Sequence, residues 1–85
     1  MKTNLVYFAW VRERIGKSGE EIELPESVTT VSELLNHLKG LGDGYEAALE
    51  KPRFIRVALD QEHADHDQKI GAAREIALFP PMTGG

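Results

Sequence analysis

The sequence predicts an α+β domain in which a mixed β-sheet packs on one main helix. Five segments typical of β-strands and one long helical segment follow one another in the order strand, strand, helix, strand, short strand, strand. The helical segment carries a single apolar stripe, which has to be buried against a second layer. Because 85 residues have room for one core only, we expect a single domain over residues 1–81 and a projecting tail over residues 82–85.

The first two strands are expected to form a hairpin-like pair. Residues 5–10 are apolar on both faces of the predicted strand, which is typical of a central strand rather than of an edge strand. Residues 11–15 then predict a short helical turn that ends at Gly16. Residues 20–24 alternate charged with apolar side chains, so the second strand has one solvated face, and Pro25 closes it.

The main helix is predicted to begin after Thr30. Thr30 and Glu33 have the spacing of a capping box, in which each side chain accepts a hydrogen bond from the backbone N–H of the other residue. The helix should end near Gly40 or Gly42. Its apolar positions recur at the spacing of one helical face and are Val31, Leu34, Leu35 and Leu38. His37 lies on the polar face, where a lone histidine is solvated, and we assign it no role.

The second half of the chain predicts a short helix and three strands. Asp43 is expected to cap the short helix, which has to finish before Pro52. Residues 54–59 form the third predicted strand, and after a two-residue turn residues 62–64 form a brief, charged edge strand. Residues 74–79 form the last strand. A right-handed crossover would place it beside and parallel to the first strand, at the centre of the sheet.

The composition excludes several classes of function. No cysteine is present, so the chain has no disulfide framework, thiol nucleophile or cysteine-based zinc site. The formal net charge of −4 argues against a sequence-independent grip on the phosphate backbone of nucleic acids. No apolar run approaches the ~20 residues needed to span a bilayer, and the N-terminus lacks the apolar core of a signal peptide. We therefore expect a soluble, cytoplasmic protein that binds neither nucleic acid nor membrane.

The C-terminal segment, residues 77–85, is the stretch that the domain is expected to present. An apolar strand stops at Pro80 and Pro81, which fix φ and remove backbone donors, so the following residues have to leave the sheet. Gly84 and Gly85 lack side chains and can enter a channel that is too narrow for any other residue. The reactive group there is the α-carboxylate of Gly85, which is ionised and inert at neutral pH until another enzyme activates it.

Adenylation would activate this carboxylate. A sulfur donor that attacks the acyl-adenylate leaves a thiocarboxylate, whereas an amine leaves an amide with another protein, and the residues of the tail allow either outcome. The apolar side chains before the glycines lie on a stiff backbone that loses little entropy on binding, so we expect them to dock on a partner. They are Phe79, Pro80, Pro81 and Met82. The alternative for Phe79 is that it only fills the core.

With this tail the chain resembles the small subunits of molybdopterin synthase, a family of ubiquitin-like sulfur carriers. These proteins end in a strand, Phe-Pro-Pro, two variable residues and Gly-Gly, as residues 78–85 do here. The similarity extends over nearly the whole chain, from the first strand with Arg12 and Glu13 after it to the C-terminus. It implies the ubiquitin-like β-grasp fold, with a flexible Gly-Gly tail.

The resemblance also implies a function. Gly85 would be adenylated by an E1-like activating enzyme that uses ATP and Mg²⁺, converted to a thiocarboxylate by a sulfur donor protein, and would then donate its sulfur to a pterin precursor of the molybdenum cofactor. The chain would not be an enzyme alone and would bind no cofactor permanently, because two small and two large subunits form the synthase. The residues implied to contact the partner proteins are Phe79, Pro80, Pro81, Met82, Thr83 and Gly84.

Three other interpretations stay open at this point. Thiamine-type sulfur carriers and ubiquitin-like modifiers of protein lysines also end in Gly-Gly, and a plain interaction domain with an inert tail is the fourth possibility. Residues 79–81 and the chain length favour the molybdopterin synthase carrier. Two departures from the family pattern affect loops: residues 72–75 read Ala-Ala-Arg-Glu where Asp-Gly-Asp-Glu is common, and Asp60 stands where Asn is common.

One cluster resembles a metal site. His63, Asp65, His66 and Asp67 supply imidazole and carboxylate groups, both of which are ligands for zinc and related ions. The segment is short and polar, and its spacing is weak evidence for a site. We expect a solvated loop, with no metal and no part in the chemistry.

Overall fold

Five strands form one mixed sheet in the computed structural model, which describes residues 2–81. In chain order they are β1 (Lys2–Tyr7), β2 (Gly19–Glu23), β3 (Arg56–Leu59), β4 (Glu62–Ala64) and β5 (Glu75–Phe79), and their order across the sheet is β2-β1-β5-β3-β4. β1 and β5 are parallel, and the other neighbouring pairs are antiparallel. The predicted hairpin, the short edge strand and the central position of the last strand are confirmed.

The helices of the described part are short. They are α1 (Ala9–Ile15), α2 (Val31–Lys39) and α3 (Asp43–Ala48), followed by a 3₁₀ turn at Pro52–Phe54. Within residues 2–81 no helix has the length and apolar character that a membrane crossing requires. α1 packs on α3, and α3 also contacts α2, so the helices form a layer over one face of the sheet.

The capping box and the apolar stripe of α2 are both confirmed. Thr30 Oγ1 accepts a hydrogen bond from the backbone N–H of Glu33 at 3.2 Å, and Glu33 Oε1 accepts one from the backbone N–H of Thr30 at 2.9 Å. The side chain and backbone N–H of Thr29, with the backbone N–H of Thr30, lower the pKa of Glu33 to about 2. The four stripe residues are at most 1% exposed and lie in the core: Val31, Leu34, Leu35 and Leu38.

The two parallel strands at the centre fix the direction in which the tail leaves. Tyr7 pairs with Leu78 in the register of β1 and β5, and both side chains are fully buried. The backbone N–H of Phe8 continues the ladder by donating to the Leu78 carbonyl at 3.1 Å. Because parallel strands end at the same edge of a sheet, α1 begins and Pro80 follows at one edge of this domain.

The end of the first strand was predicted too late. β1 stops at Tyr7, and α1 begins at Ala9, two residues before the predicted helical turn. The chain changes direction at Ala9, whose φ of 51° lies in the left-handed region. An apolar run does not reveal this change, because Ala9 and Trp10 suit a helix that packs on the core as well as a strand. The predicted end of α1 is confirmed, since Gly16 has φ 92°.

Further boundaries differ from the prediction: β1 begins at Lys2, three residues early, and β2 (Gly19–Glu23) begins and ends one residue early. Gly42, and not Asp43, is the N-cap residue of α3, which lacks a side-chain cap hydrogen bond. The third strand begins at Arg56 because the 3₁₀ turn at Pro52–Phe54 occupies the residues before it, and proline at its first position has the φ that such a turn needs. The last strand begins at Glu75, one residue later than predicted.

The predicted turn between β3 and β4 is a two-residue hairpin loop. Asp60 and Gln61 have φ of 48° and 72°, as a type I′ turn requires. Asp60 Oδ1 also accepts hydrogen bonds from the backbone N–H groups of Arg74 and Glu75, at 2.9 and 3.0 Å. The aspartate therefore joins this hairpin to the start of β5.

Candidate functional site

The root of the tail is the end of β5. Phe79 is the last residue of the strand, and Phe79, Pro80 and Pro81 are all half-buried. Met82, Thr83, Gly84 and Gly85 lie outside the described residues, so the roles assigned to them, and the boundary between domain and tail, stay predictions. The structure describes the platform that precedes these four residues, which consists of the end of β5 with Pro80 and Pro81.

Phe79 lies on the sheet face that the helices leave uncovered. Side chains alternate between the two faces of a strand, and the neighbouring Leu78 is fully buried in the core. Phe79 therefore points to the opposite face, beside Arg56, its partner in the register of β3 and β5. Its half-buried state does not fit the alternative in which it only fills the core.

Other apolar side chains surround Phe79 on this face. Phe8 follows Tyr7 as Phe79 follows Leu78, so the two phenylalanines lie side by side, and Phe8 is 47% exposed. Ala58 and Ala77 pair across β3 and β5 and extend the apolar surface. We call this surface the outer patch: it consists of Val6, Phe8, Ala58, Ala77 and Phe79.

Charged groups border the outer patch on the side of β3 and β4. Arg56 is exposed beside Phe79, and His63 is exposed beside Ala58 in the register of β3 and β4. An apolar centre with a polar rim is the usual composition of a protein–protein interface. The sequence carries a signal for this surface: the first strand is apolar on both faces, and the main helix can cover only one of them.

A hydrogen-bond network holds the elements beneath the platform together. Glu20 Oε2 accepts hydrogen bonds from the hydroxyls of Tyr7, at 2.8 Å, and Tyr45, at 2.6 Å, and Glu20 Oε1 accepts one from Lys17 Nζ at 3.1 Å. Burial, and then the Glu20 carboxylate, raise the pKa of both tyrosines. Burial alone would raise the pKa of Glu20, but the hydrogen bonds from Tyr45, Tyr7 and Lys17 lower it. The network ties β1, β2 and α3 into one rigid base.

The histidines of the candidate metal cluster have different partners. His66 Nε2 lies 2.8 Å from the Ile55 carbonyl, which can only accept, so the nitrogen carries the proton and donates. His63 Nε2 lies 3.8 Å from Asp65 Oδ1, and both side chains are largely exposed. Over residues 2–81 no three histidine or carboxylate groups are arranged to hold a metal ion.

Comparison with known proteins places the chain in a family. Residues 5–85 match the model of the ThiS family. The molybdopterin synthase sulfur carrier subunit of Haemophilus influenzae is 37% identical over 96% of this chain and 98% of its own length. The subunit of the same name from Escherichia coli is 32% identical over 95% of this chain and 96% of its own length.

Solved structures share the fold. The small archaeal modifier protein 1 of Haloferax volcanii superposes with a TM-score of 0.70 at 26% identity, over 95% of this chain and 98% of that one. A chain from the complex of subunits 1 and 2 of the molybdopterin-converting factor of Helicobacter pylori superposes with a TM-score of 0.65 at 20% identity, over the whole of both chains. The sheet order, the tail root and these similarities together identify the chain as a member of the ThiS family, among the molybdopterin synthase sulfur carrier subunits.

Proposed function

We propose that this chain is the sulfur-carrying small subunit of molybdopterin synthase, with Gly85 as the carrier residue. The observation that carries the proposal is the position of β5: it lies at the sheet centre, stops at Phe79 and is followed by Pro80-Pro81, with two residues between these prolines and the Gly-Gly terminus. A central strand is held on both sides, so the tail starts from the most rigid part of the domain. The curated relatives, which match over nearly their full length, are sulfur carrier subunits by name.

The chemistry proceeds at the C-terminal carboxylate. In an E1-like activating enzyme, a carboxylate oxygen of Gly85 attacks the α-phosphorus of ATP, with Mg²⁺ bound to the phosphates, and pyrophosphate leaves. Sulfide can then attack the acyl carbon, whereupon AMP leaves and the tail ends in a thiocarboxylate. When the persulfide of a sulfur donor protein attacks instead, AMP leaves and an acyl disulfide joins the tail to the donor; a second thiol then attacks the donor's cysteine sulfur, forms a disulfide with the donor and releases the thiocarboxylate. Transfer of this sulfur to the pterin precursor returns Gly85 to a carboxylate or a derivative that water hydrolyses. This chain supplies the carrier and its partners supply the catalytic groups.

The large subunit of the synthase is the proposed partner of the outer patch. Phe8 and Phe79 supply aromatic anchors, which are enriched at the energetic centres of interfaces. From Pro81, four extended residues reach at most about 14 Å. A partner that covers the outer patch can therefore receive Gly85 in a site within this distance of the root, and the side-chain-free end passes through a narrow entrance.

A second function, attachment to protein lysines, is favoured by one comparison. The small archaeal modifier protein 1 shares the fold at 26% identity. The same adenylate supports both functions, because an amine can attack it in place of a sulfur donor. The two functions differ in the product that accumulates on Gly85.

Mass spectrometry of the chain from its own cells distinguishes the two functions. The chain is isolated from cells with an intact sulfur pathway, under conditions that preserve thioacids, and compared with a variant that lacks Gly85. We expect the parent chain to show the mass increase of one oxygen exchanged for sulfur, located at Gly85, and the variant to lack it. Isopeptide-linked conjugates of Gly85 without any thiocarboxylate would instead establish the modifier and refute the sulfur carrier.

A further inference from the structure

A cleft opens beside the root of the tail, separate from the outer patch. Its volume is about 700 Å³, within the range of ~300–1,000 Å³ that is typical of ligand sites. Its walls include Trp10, Arg14, Lys51, Phe54, Pro80 and Pro81, and no residue of the outer patch lines it. We call it the exit cleft.

The topology explains why Pro80 and Pro81 line this cleft. β1 and β5 are parallel and end at the same edge, so α1, which follows β1, lies next to Pro80, which follows β5. The segment after α3 closes the opposite wall with Lys51 and Phe54. A molecule that fills the exit cleft therefore lies next to the two prolines that precede residues 82–85.

The walls of the exit cleft are apolar and open. Phe54 is 43% exposed, which is unusual for a large hydrophobic side chain of this small domain, and Trp10 is half-buried. Ala47 and Ala48 of α3 also line the cleft, and their side chains are small. The cleft thus has room for an apolar side chain beside Trp10 and Phe54.

Cations border the cleft and have no carboxylate partner. The guanidinium of Arg14 lies 4.5 Å from the centroid of the Trp10 ring. Over residues 2–81, neither Arg14 nor Lys51 forms an ion pair. Stacking on the Trp10 ring holds the Arg14 guanidinium in place, so little entropy is lost when it binds an anion. Glu50 is the one carboxylate residue that lines the cleft in the described part.

We propose that the exit cleft binds an acidic peptide segment of a partner protein. An apolar side chain of the segment fits beside Trp10 and Phe54, and carboxylates beside it bind Arg14 and Lys51. Charge complementarity supports this occupant, because a chain with a net charge of −4 here presents unpaired cations around an apolar cavity. Among residues 2–81 no glycine lines the cleft, so this part of the chain offers no glycine-rich backbone cradle of the kind with which proteins hold nucleotide phosphates.

Trp10 is the single tryptophan of the chain and reports on the cleft directly. The whole chain is titrated with a blocked hexapeptide that has two carboxylates on each side of Leu-Phe, and with a matched peptide in which amides replace the carboxylates. We expect saturable changes in Trp10 fluorescence, with the amide peptide bound at least about tenfold more weakly because it lacks charge-assisted hydrogen bonds. Backbone amide chemical shifts should change at Ala47 and Ala48 and remain constant at Val6 and Ala58.

Two variants and a control locate the binding site. Arg14→Glu and Lys51→Glu should each weaken binding of the acidic peptide at least about tenfold. Lys69→Glu, the same charge change at an exposed residue that does not line the exit cleft, should leave affinity within about twofold of the parent. Melting curves check that each variant folds. If Arg14→Glu does not fold, Ala47→Glu places a carboxylate in the cleft at an exposed position of α3.

The outcomes that refute the proposal are equally specific. Equal affinity for the two peptides would show that the cations take no part, and an absence of any saturable fluorescence change would show that the cleft is no peptide site. Chemical shift changes confined to the outer patch would show that the peptide binds to the outer patch and not to the exit cleft. Saturable binding of AMP with no binding of the peptide would make the cleft a nucleotide site. Neither ATP nor a sulfur donor enters the peptide titration, so its result is independent of the sulfur carrier function.

Discussion

Leu78 and Phe79 are neighbours in β5 and serve different faces of the sheet. Leu78 is fully buried among the core residues, whereas Phe79 is half-buried in the outer patch beside Arg56. Stability and partner binding are therefore expected to separate between two adjacent residues. The sequence does not make this distinction, because it predicts a strand over residues 74–79 without showing which face of that strand the helices cover.

Replacement of Phe79 by alanine should affect partner binding more than folding. We expect Phe79→Ala to lower the free energy of unfolding by about 1–2 kcal/mol, below the ~3–5 kcal/mol of a fully buried phenylalanine, and Leu78→Ala to lower it by about 2–5 kcal/mol. Affinity for the large subunit should fall at least about tenfold for Phe79→Ala. Urea denaturation and isothermal titration calorimetry measure the two quantities.

Leu41→Ala is the matched control for binding, because Leu41 is also a large exposed hydrophobic residue but lies outside the outer patch. It should leave affinity within about twofold of the parent. Unchanged affinity of the Phe79→Ala variant would remove Phe79 from the interface.

The sequence predicted individual helices and strands well where a residue type has a single structural role. The capping box and the stripe of α2 were predictable because hydrogen-bond geometry and helical spacing leave few alternatives. The start of α1 and the 3₁₀ turn at Pro52–Phe54 were not, because tertiary packing decides whether a short apolar run becomes strand or helix. The outer patch was missed for the same reason: a strand's two faces differ only once the helix layer covers one of them.

The capping box predicts an acid-sensitive contribution to stability. The pKa of Glu33 is lowered from 4.5 to about 2 by its hydrogen bonds with Thr29 and Thr30. A carboxyl group with a lowered pKa in the folded state stabilises the fold above its unfolded pKa, and this contribution is lost as pH falls from about 4.5 towards 2. Glu33→Gln should flatten the pH dependence of unfolding in this window, as measured by urea denaturation at each pH. An unchanged pH profile would show that the capping box contributes nothing through its charge.

The hairpin between β3 and β4 predicts a stabilising substitution. Gln61 has φ 72°, a conformation that glycine adopts without strain and other residues adopt at a cost of roughly 1 kcal/mol. Gln61→Gly should therefore raise the melting temperature by a few degrees. About 1 kcal/mol shifts the melting temperature of a domain of this size by ~4–8 °C, but glycine also increases the conformational entropy of the unfolded chain, which offsets part of the gain. Glu62→Gly, one residue later in β4, is the control and should lower it. A lower melting temperature for Gln61→Gly would contradict the turn geometry.

At the scale of the whole molecule, the fold is a rigid support for the strand that residues 82–85 follow. β5 pairs with β1 on one side and with β3 on the other. Asp60 accepts hydrogen bonds from the backbone at the start of β5, and the hydrogen bond from Tyr7 to Glu20 links the neighbouring β1 to β2. The sequence alone directs attention to the Gly-Gly terminus and the prolines before it, because they form one contiguous motif. The outer patch and the exit cleft were not predictable, because each combines residues from distant parts of the chain that only the sheet topology brings together.

The length of the tail is expected to be critical for chemistry and irrelevant to folding. One added residue moves the reactive carbon by up to ~3.6 Å, and errors of ~1 Å already cost positioned catalysis about a hundredfold. A chain with one glycine added after Gly85, and the variant Gly84→Val, should both melt close to the parent and yield little or no thiocarboxylate with the activating enzyme. Full product from the extended chain, with its extra glycine retained, would refute a tail that enters a narrow site.

The central claim is that Gly85 carries the sulfur that reaches the pterin precursor, and one single-turnover measurement tests it directly. The chain is prepared as the Gly85 thiocarboxylate, labelled with radioactive sulfur, and mixed with the large subunit and the precursor in the absence of ATP and of any other sulfur source. The account predicts that the label moves to the pterin product in a stoichiometric single turnover while the mass of the chain returns to that of the carboxylate. Label that remains on the chain in the presence of an active large subunit, or a pterin product that forms without label, would contradict it.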